Sequence, residues 1–173
     1  GGCGVGSYNS LAQGDQECDG KWSDIDVAYQ RRNDLVPNIV ATCKAYLSHE
    51  AKVFKEVNEA QASVGKVTID PKSITPAELE KWSQAQAGLG GALQKLMMVT
   101  FSQPNIKADQ GLNDLRVTLE GCENRISVAR HNYNDEAKSQ NKRIVSFPNN
   151  LIFSSFKKRA FLEADASGKK APK

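Results

Sequence analysis

Nowhere in these 173 residues does an apolar run approach the roughly 20 that a bilayer-crossing helix requires, so no membrane span is expected. Charge of one sign is lacking too. Lys and Arg number 23 against 20 Asp and Glu, which leaves +3 and excludes a broad nucleic-acid-binding face. The two basic runs, Lys157-Lys158-Arg159 and Lys169-Lys170, are read as solvated faces, with anionic lipid headgroups as the alternative partner. Histidine is scarce: only His49 and His131 occur. Neither has an acidic residue three positions upstream, so the Glu-x-x-His pair of a di-metal bundle is missing. His49-Glu50 also lacks the second histidine of a zinc-protease motif. No Gly-rich phosphate loop follows a strand, and no Gly-x-Ser-x-Gly elbow is present. These gaps point away from an enzyme, and no metal or cofactor is expected.

Apolar residues make up 39% of the chain, enough to bury the core of one ordinary domain without disulfides. Their spacing is helical, and no strand-period segment competes. From Asp15 to Val64 apolar positions recur at three- and four-residue steps, through Cys18, Trp22, Ile25 and Tyr29 to Val36, Ile39, Cys43, Tyr46, Val53 and Val57. This reads as one helix of roughly 75 Å. Arg32 and Glu50 stand at two seam positions of that helix. A second helix begins at Thr75-Pro76, where Thr75, Pro76 and Glu78 form a capping box, and ends at Ser102 to Asn105. Gly88, Gly90 and Gly91 weaken it or allow close helix approach. A third, from Ala108 to Val145, carries Leu112, Leu115, Leu119, Cys122, Ile126, Ala129 and Tyr133. Phe147-Pro148 breaks it before a shorter helix with Leu151, Phe153, Phe156 and Phe161.

The expected fold is therefore all-α: a long antiparallel four-helix bundle with the first helix longest. Residues 1–14, rich in Gly, Ser, Asn and Gln, read as a flexible tether, 15–165 as the bundle and 166–173 as a disordered tail. Cys18, Cys43 and Cys122 fall on seams, where a free thiol acts as a small buried hydrophobe. In this expected order helices one and three lie diagonally, too far apart for a disulfide; an intermolecular bridge is the alternative.

The start reads Gly1-Gly2-Cys3-Gly4, the small-small-Cys shape of a bacterial lipoprotein cleavage site with Cys3 as the lipidated residue. A flexible glycine end is the other reading. Two or three acyl chains on Cys3 would anchor the chain stably, and Gly4 would suit outer-membrane sorting in a Gram-negative cell.

Two segments carry a family resemblance. The first is Tyr29-Gln30-Arg31-Arg32-Asn33-Asp34-Leu35-Val36-Pro37-Asn38-Ile39, which puts two arginines, an aspartate and a proline inside a helix. The second runs from the acidic pair Glu120 and Glu123 through Ala129-Arg130, Tyr133-Asn134 and Asn141 to Phe147-Pro148. With Tyr46 to Glu50 and Gln103 to Ala108, they resemble the LemA family of bacterial envelope proteins. Cys122 and Phe153 depart from its pattern, and the Cys3 segment replaces its usual N-terminal membrane helix. The resemblance implies a helical domain at a bacterial membrane surface on the extracytoplasmic side. Relatives include a protein of magnetosome membranes, and no enzymatic activity or catalytic residue is implied.

Several expectations follow. Arg32, Glu50 and Arg130 are half-buried, either paired within the bundle or forming a polar site for a partner. Pro37 bends or loosens the first helix, with Arg31, Arg32 and Asp34 as a polar patch and Asn33, Asn38 and Asn134 as possible caps for freed carbonyls. Trp22, Ile25 and Tyr29 lie beyond the reach of helix two, so an uncovered aromatic stripe would drive self-association. The leading functional reading is a non-enzymatic, lipid-anchored envelope scaffold that forms a homo-oligomer. The alternative is an adaptor that binds an envelope protease or other membrane partner through Arg31, Arg32 and Asp34.

Overall fold

The computed structural model describes residues 2–104, 106, 109–146 and 148–162. The side chain of Cys3, Phe147 and the 166–173 tail lie outside the described residues. Within these residues five helices follow one another: α1 (Gly2–Lys44), α2 (Ala51–Gly65), α3 (Pro76–Phe101), α4 (Gln110–Val145) and the single turn α5 (Asn149–Ile152). Among the described residues there is no strand. The fold is an all-α bundle with α1 longest, as expected. Its chain path differs from the expected one in four places.

The long first helix is two helices. After Cys43 the backbone tightens into i→i−3 bonds, Ala45 N to Thr42 O and Tyr46 N to Cys43 O, and α2 starts at Ala51. The apolar pattern runs on across this turn because both helices face one core. Leu47, Val53, Phe54 and Val57 bury against Leu89, Leu93, Leu96 and Met97 of α3. A straight helix would have carried Val53 and Val57 away from α3 into water. Glu50 is consequently not a seam residue: it is exposed, just before α2, and its side chain caps nothing.

α4 packs antiparallel along α1, so the helices expected to lie diagonally are side-by-side neighbours. Leu11 is level with Gln140, Tyr29 with Arg130 and Arg32 with Glu123. This placement overturns the uncovered stripe. Trp22, Ile25 and Tyr29 are all buried, in a cluster with Leu79 and Trp82 of α3, Ile126, Ala129 and Tyr133 of α4, and Leu162. Val67, Ile69 and Ile74 of the α2–α3 loop close it from outside. The aromatics interlock, with Trp22 5.2 Å from Trp82 and from Tyr133, and Tyr29 edge-on to Trp82 at 5.0 Å.

The segment read as a tether is helical from Gly2 onward. Its composition favours coil, but contacts from the far end of the chain hold it. Leu11 is buried and its carbonyl accepts from Gln140 Nε2 at 2.8 Å. Tyr8 packs on Phe153 and Phe156. A Cβ at Gly14 would run into the side chains of Gln140 and Arg143, so glycine lets α4 close on α1 there. The expected fourth helix is reduced to α5, after which the chain runs without helix to Leu162.

The expected cap of α3 is present: Glu78 N donates to Thr75 Oγ1 at 3.2 Å, and Thr75 N to Glu78 Oε2 at 2.9 Å. Asp109 caps α4 through Leu112 N. Pro37 is exposed and α1 passes through it as continuous helix. Its ring removes the donor for the Asn33 carbonyl four residues back, while Asn134, proposed as a cap, is engaged elsewhere.

Candidate functional site

Two buried arginines organise the polar interior. Arg32 points inward from α1 and is 2% exposed. Its Nη2 donates to the Gln86 carbonyl at 2.9 Å and to Gln86 Oε1 at 2.8 Å, and its Nη1 to Glu123 Oε1 at 3.2 Å. The guanidinium also lies over the Tyr29 ring, 5.0 Å from its centroid. Gly90 makes the room: a Cβ there would stand 3.0 Å from Arg32 Nη1. Tyr29 in turn accepts from Arg130 Nη1 at 2.8 Å. α1, α3 and α4 are thus tied at one level by a chain of charge-assisted bonds. The polar patch expected around Pro37 therefore lacks Arg32; Arg31, Asp34, Pro37 and Asn38 are exposed. Glu120 is exposed as well.

The second arginine, Arg159, is 5% exposed and follows α5. Its Nε donates to Asp15 Oδ1 at 3.0 Å, and Nη2 reaches the same oxygen. Nη1 lies 2.9 Å from Asp19 Oδ1, within ion-pair range though off the line of a hydrogen bond, and donates to the Pro71 carbonyl at 3.4 Å. Burial acts to lower this guanidinium's pKa; the hydrogen bonds to Asp15 and the charges of Asp15 and Asp19 reverse that into a net rise.

Around Arg159 the family-like asparagines clasp the chain. Asn141 Nδ2 donates to the Arg159 carbonyl at 2.8 Å and its Oδ1 accepts from Arg159 N at 2.7 Å. Asn134 does the same to Leu162, at 2.6 and 2.8 Å. Tyr133 Oη donates to the Ala160 carbonyl between them at 3.1 Å. The spacing has a reason. Seven positions along a helix advance about 10.5 Å, and three residues of extended chain cover about 10 Å. Two asparagines so spaced therefore fit alternate ends of one extended stretch. Pro148, half-buried, starts the turn that sends the chain back.

Remaining surface features are shallow. A cleft of about 430 Å³ between α3 and α4 is lined by Met97, Met98, Phe101, Leu119, Glu120 and Glu123. A second, between α1 and α4, holds Val27, Arg31, Arg125 and Val128. No set of three metal-ligating side chains converges among the described residues. Cys18, Cys43 and Cys122 are free and buried. Burial pushes the Cys18 thiol up to about 11 and raises those of Cys43 and Cys122. None of the three is a ready nucleophile.

A family model described as LemA matches residues 21–173. The chain belongs to the LemA family. Curated relatives of this LemA chain are the magnetosome proteins MamQ 2 and MamQ 1 of Paramagnetospirillum magneticum, each 23% identical over 93% of this chain and 66% of theirs. Magnetosome protein MamQ of Magnetospirillum gryphiswaldense is 24% identical over 82% of this chain and 58% of its own. The LemA chain thus spans two thirds or less of the length of these relatives.

The structure brings together most of the signature residues: Trp22, Tyr29, Arg32, Glu123, Arg130 and Tyr133 around one core, with Asn134 and Asn141 beside it. Arg31, Asp34, Pro37, Asn38, Glu50 and Glu120 stay outside. Gln86, Asp15, Asp19, Gln140 and Arg159 were not picked out from sequence as polar-site residues. Gln86 and Gln140 carried a signal, as amides on apolar helix faces. Arg159 carried none, being the last residue of a run read as solvated.

Proposed function

We propose that this LemA chain is a non-catalytic helical scaffold of the bacterial cell envelope, held at a membrane through lipid on Cys3 and facing away from the cytoplasm. The supporting observation is what its signature residues do. Arg32, Arg130, Tyr133, Asn134 and Asn141 tie helix to helix and helix to chain, and their polar atoms face the protein's own partners rather than an open pocket. Such residues maintain a shape. The MamQ relatives, named as magnetosome proteins, support a membrane setting. No helix among the described residues is long and apolar enough to cross a membrane; the attachment proposed is the lipid on Cys3. Because the aromatic stripe is buried, self-association falls to the exposed surface, where Met98 and Val117 stand out.

Native-mass measurement on the detergent-extracted protein tests the reading. A defined homo-oligomer is expected, and Cys3→Ser should move the protein from the membrane to the soluble fraction. A strictly monomeric protein that copurifies with one envelope protein would favour the adaptor reading. The exposed Arg31 and Asp34, with the adjoining Val27–Val128 cleft, support that second reading.

A further inference from the structure

The end of the bundle that holds the start of α1 is unlike the rest of the surface. Residues 1–14 contain no charged side chain, and from Ala137 to Leu162 there are six Lys and Arg and no Asp or Glu. The fold stacks these two stretches, through Leu11 on Gln140 and Tyr8 on Phe153 and Phe156. Among the described residues, Asp15 is paired with Arg159 and Glu136 with Arg143. Lys142, Lys157 and Lys158 are exposed. Large apolar side chains project beside them, with Leu151 74% exposed, Ile152 58%, Val5 63% and Tyr8 50%.

We propose that this end is a membrane-surface contact, in which Leu151 and Ile152 of α5 enter the headgroup–acyl boundary while the lysines engage anionic lipid. The chemistry selects this occupant. A short turn carrying two adjacent exposed aliphatics suits a shallow apolar layer, and a rim carrying the exposed Lys142, Lys157 and Lys158 suits a negative one. Long lysine side chains keep their charge at the interface while their stems follow the apolar patch. The contact rests on the membrane reading above and goes beyond it, since a protein-borne contact operates without the lipid on Cys3. It also fixes orientation, with the bundle axis leading away from the surface.

Sedimentation of the full chain carrying Cys3→Ser with lipid vesicles tests the contact. Vesicles of phosphatidylcholine with about a third phosphatidylglycerol should bind the chain at least roughly tenfold better than phosphatidylcholine alone. Leu151→Ser with Ile152→Ser, and separately Lys157→Glu with Lys158→Glu, should each weaken binding about tenfold or more. Equal binding by wild type and both variants, or no binding by wild type, overturns the proposal. So does a change of oligomeric mass without loss of vesicle binding, which would make the patch a protein interface. A lowered melting temperature for the Leu151 and Ile152 variant would also overturn it by placing that turn in the core. If the lipidated wild type still fractionates with membranes while the unlipidated chain ignores vesicles, this contact falls and the anchor reading stands.

Discussion

Replacing Arg32 by alanine should be among the most damaging single changes in the chain. The guanidinium is 2% exposed and makes three hydrogen bonds, two of them to Gln86, itself 4% exposed. Truncation leaves the Gln86 Oε1 buried without a donor, at about 1–3 kcal/mol. It also opens a hole beneath the Tyr29 ring, where large-to-small changes cost about 2–5 kcal/mol. The terms overlap, so a total of about 3–5 kcal/mol is expected. For a chain of this length that corresponds to a fall in Tm of roughly 6–20 °C. Urea unfolding followed by tryptophan fluorescence suits the measurement, because Trp22 and Trp82 lie in contact within the adjoining core. The double variant Arg32→Met with Gln86→Leu should lose less than Arg32→Ala. It orphans no buried amide, and Glu123, with 27% of its side chain exposed, can turn to water. A loss below about 1 kcal/mol for Arg32→Ala, or a double variant less stable than the single, would refute this account.

Other outcomes can be read from separate parts of the fold. Asn134→Ala and Asn141→Ala should speed amide exchange of Leu162 and Arg159 respectively by about tenfold or more, leaving α1 to α4 protected; uniform acceleration would mean the clasp is no local device. Gly14→Ala should cost about 1–3 kcal/mol by pressing on Gln140 and Arg143, whereas Gly20→Ala, with open space around it, should be neutral or slightly stabilising. Equal effects at the two glycines would contradict the packing described. The Cys18 thiol, pushed by burial to about 11 from an ordinary 9.0, favours the folded state while it is neutral. That contribution is complete below pH 9 and is lost as pH rises through about 11, since the unfolded chain ionises first. Cys18→Ala should therefore show a shallower alkaline loss of stability than wild type in denaturant titrations across that window.

Much of the fold was legible, for identifiable reasons. Three- and four-residue spacing reports which residues face a core, and Trp22, Ile25, Leu89, Ile126 and Tyr133 are all buried accordingly. The Thr75 cap was legible because capping chemistry is local. Spacing does not report which core, or along which path. The turn at Ala45 to Glu50 keeps apolar phase and contains neither glycine nor proline, so two helices joined by a turn were written in the pattern of a single rod. That error propagated into the diagonal placement of the expected third helix and into the uncovered aromatic stripe. Of the site, Arg32 and Arg130 were legible as charges on apolar faces. Asp15, Asp19 and Arg159 were not, because their pairing spans 140 positions or more and depends on a non-helical segment.

The pairing of α1 with α4 has a consequence for how the chain acquires its structure. Trp22 cannot meet Tyr133, nor Arg32 meet Glu123, until nearly all of the intervening chain exists. At ribosomal rates of 5–20 residues per second, the apolar face of α1 waits roughly 5–20 s for its partner. The hairpin of α2 and α3, whose contacts are closer in the sequence, has its partner sooner. A nascent chain of this topology thus leaves the ribosome with α1 still lacking its main partner, although α3 can already reach it. It stays open to chaperones and translocation machinery until the last long segment emerges, and only then can it close.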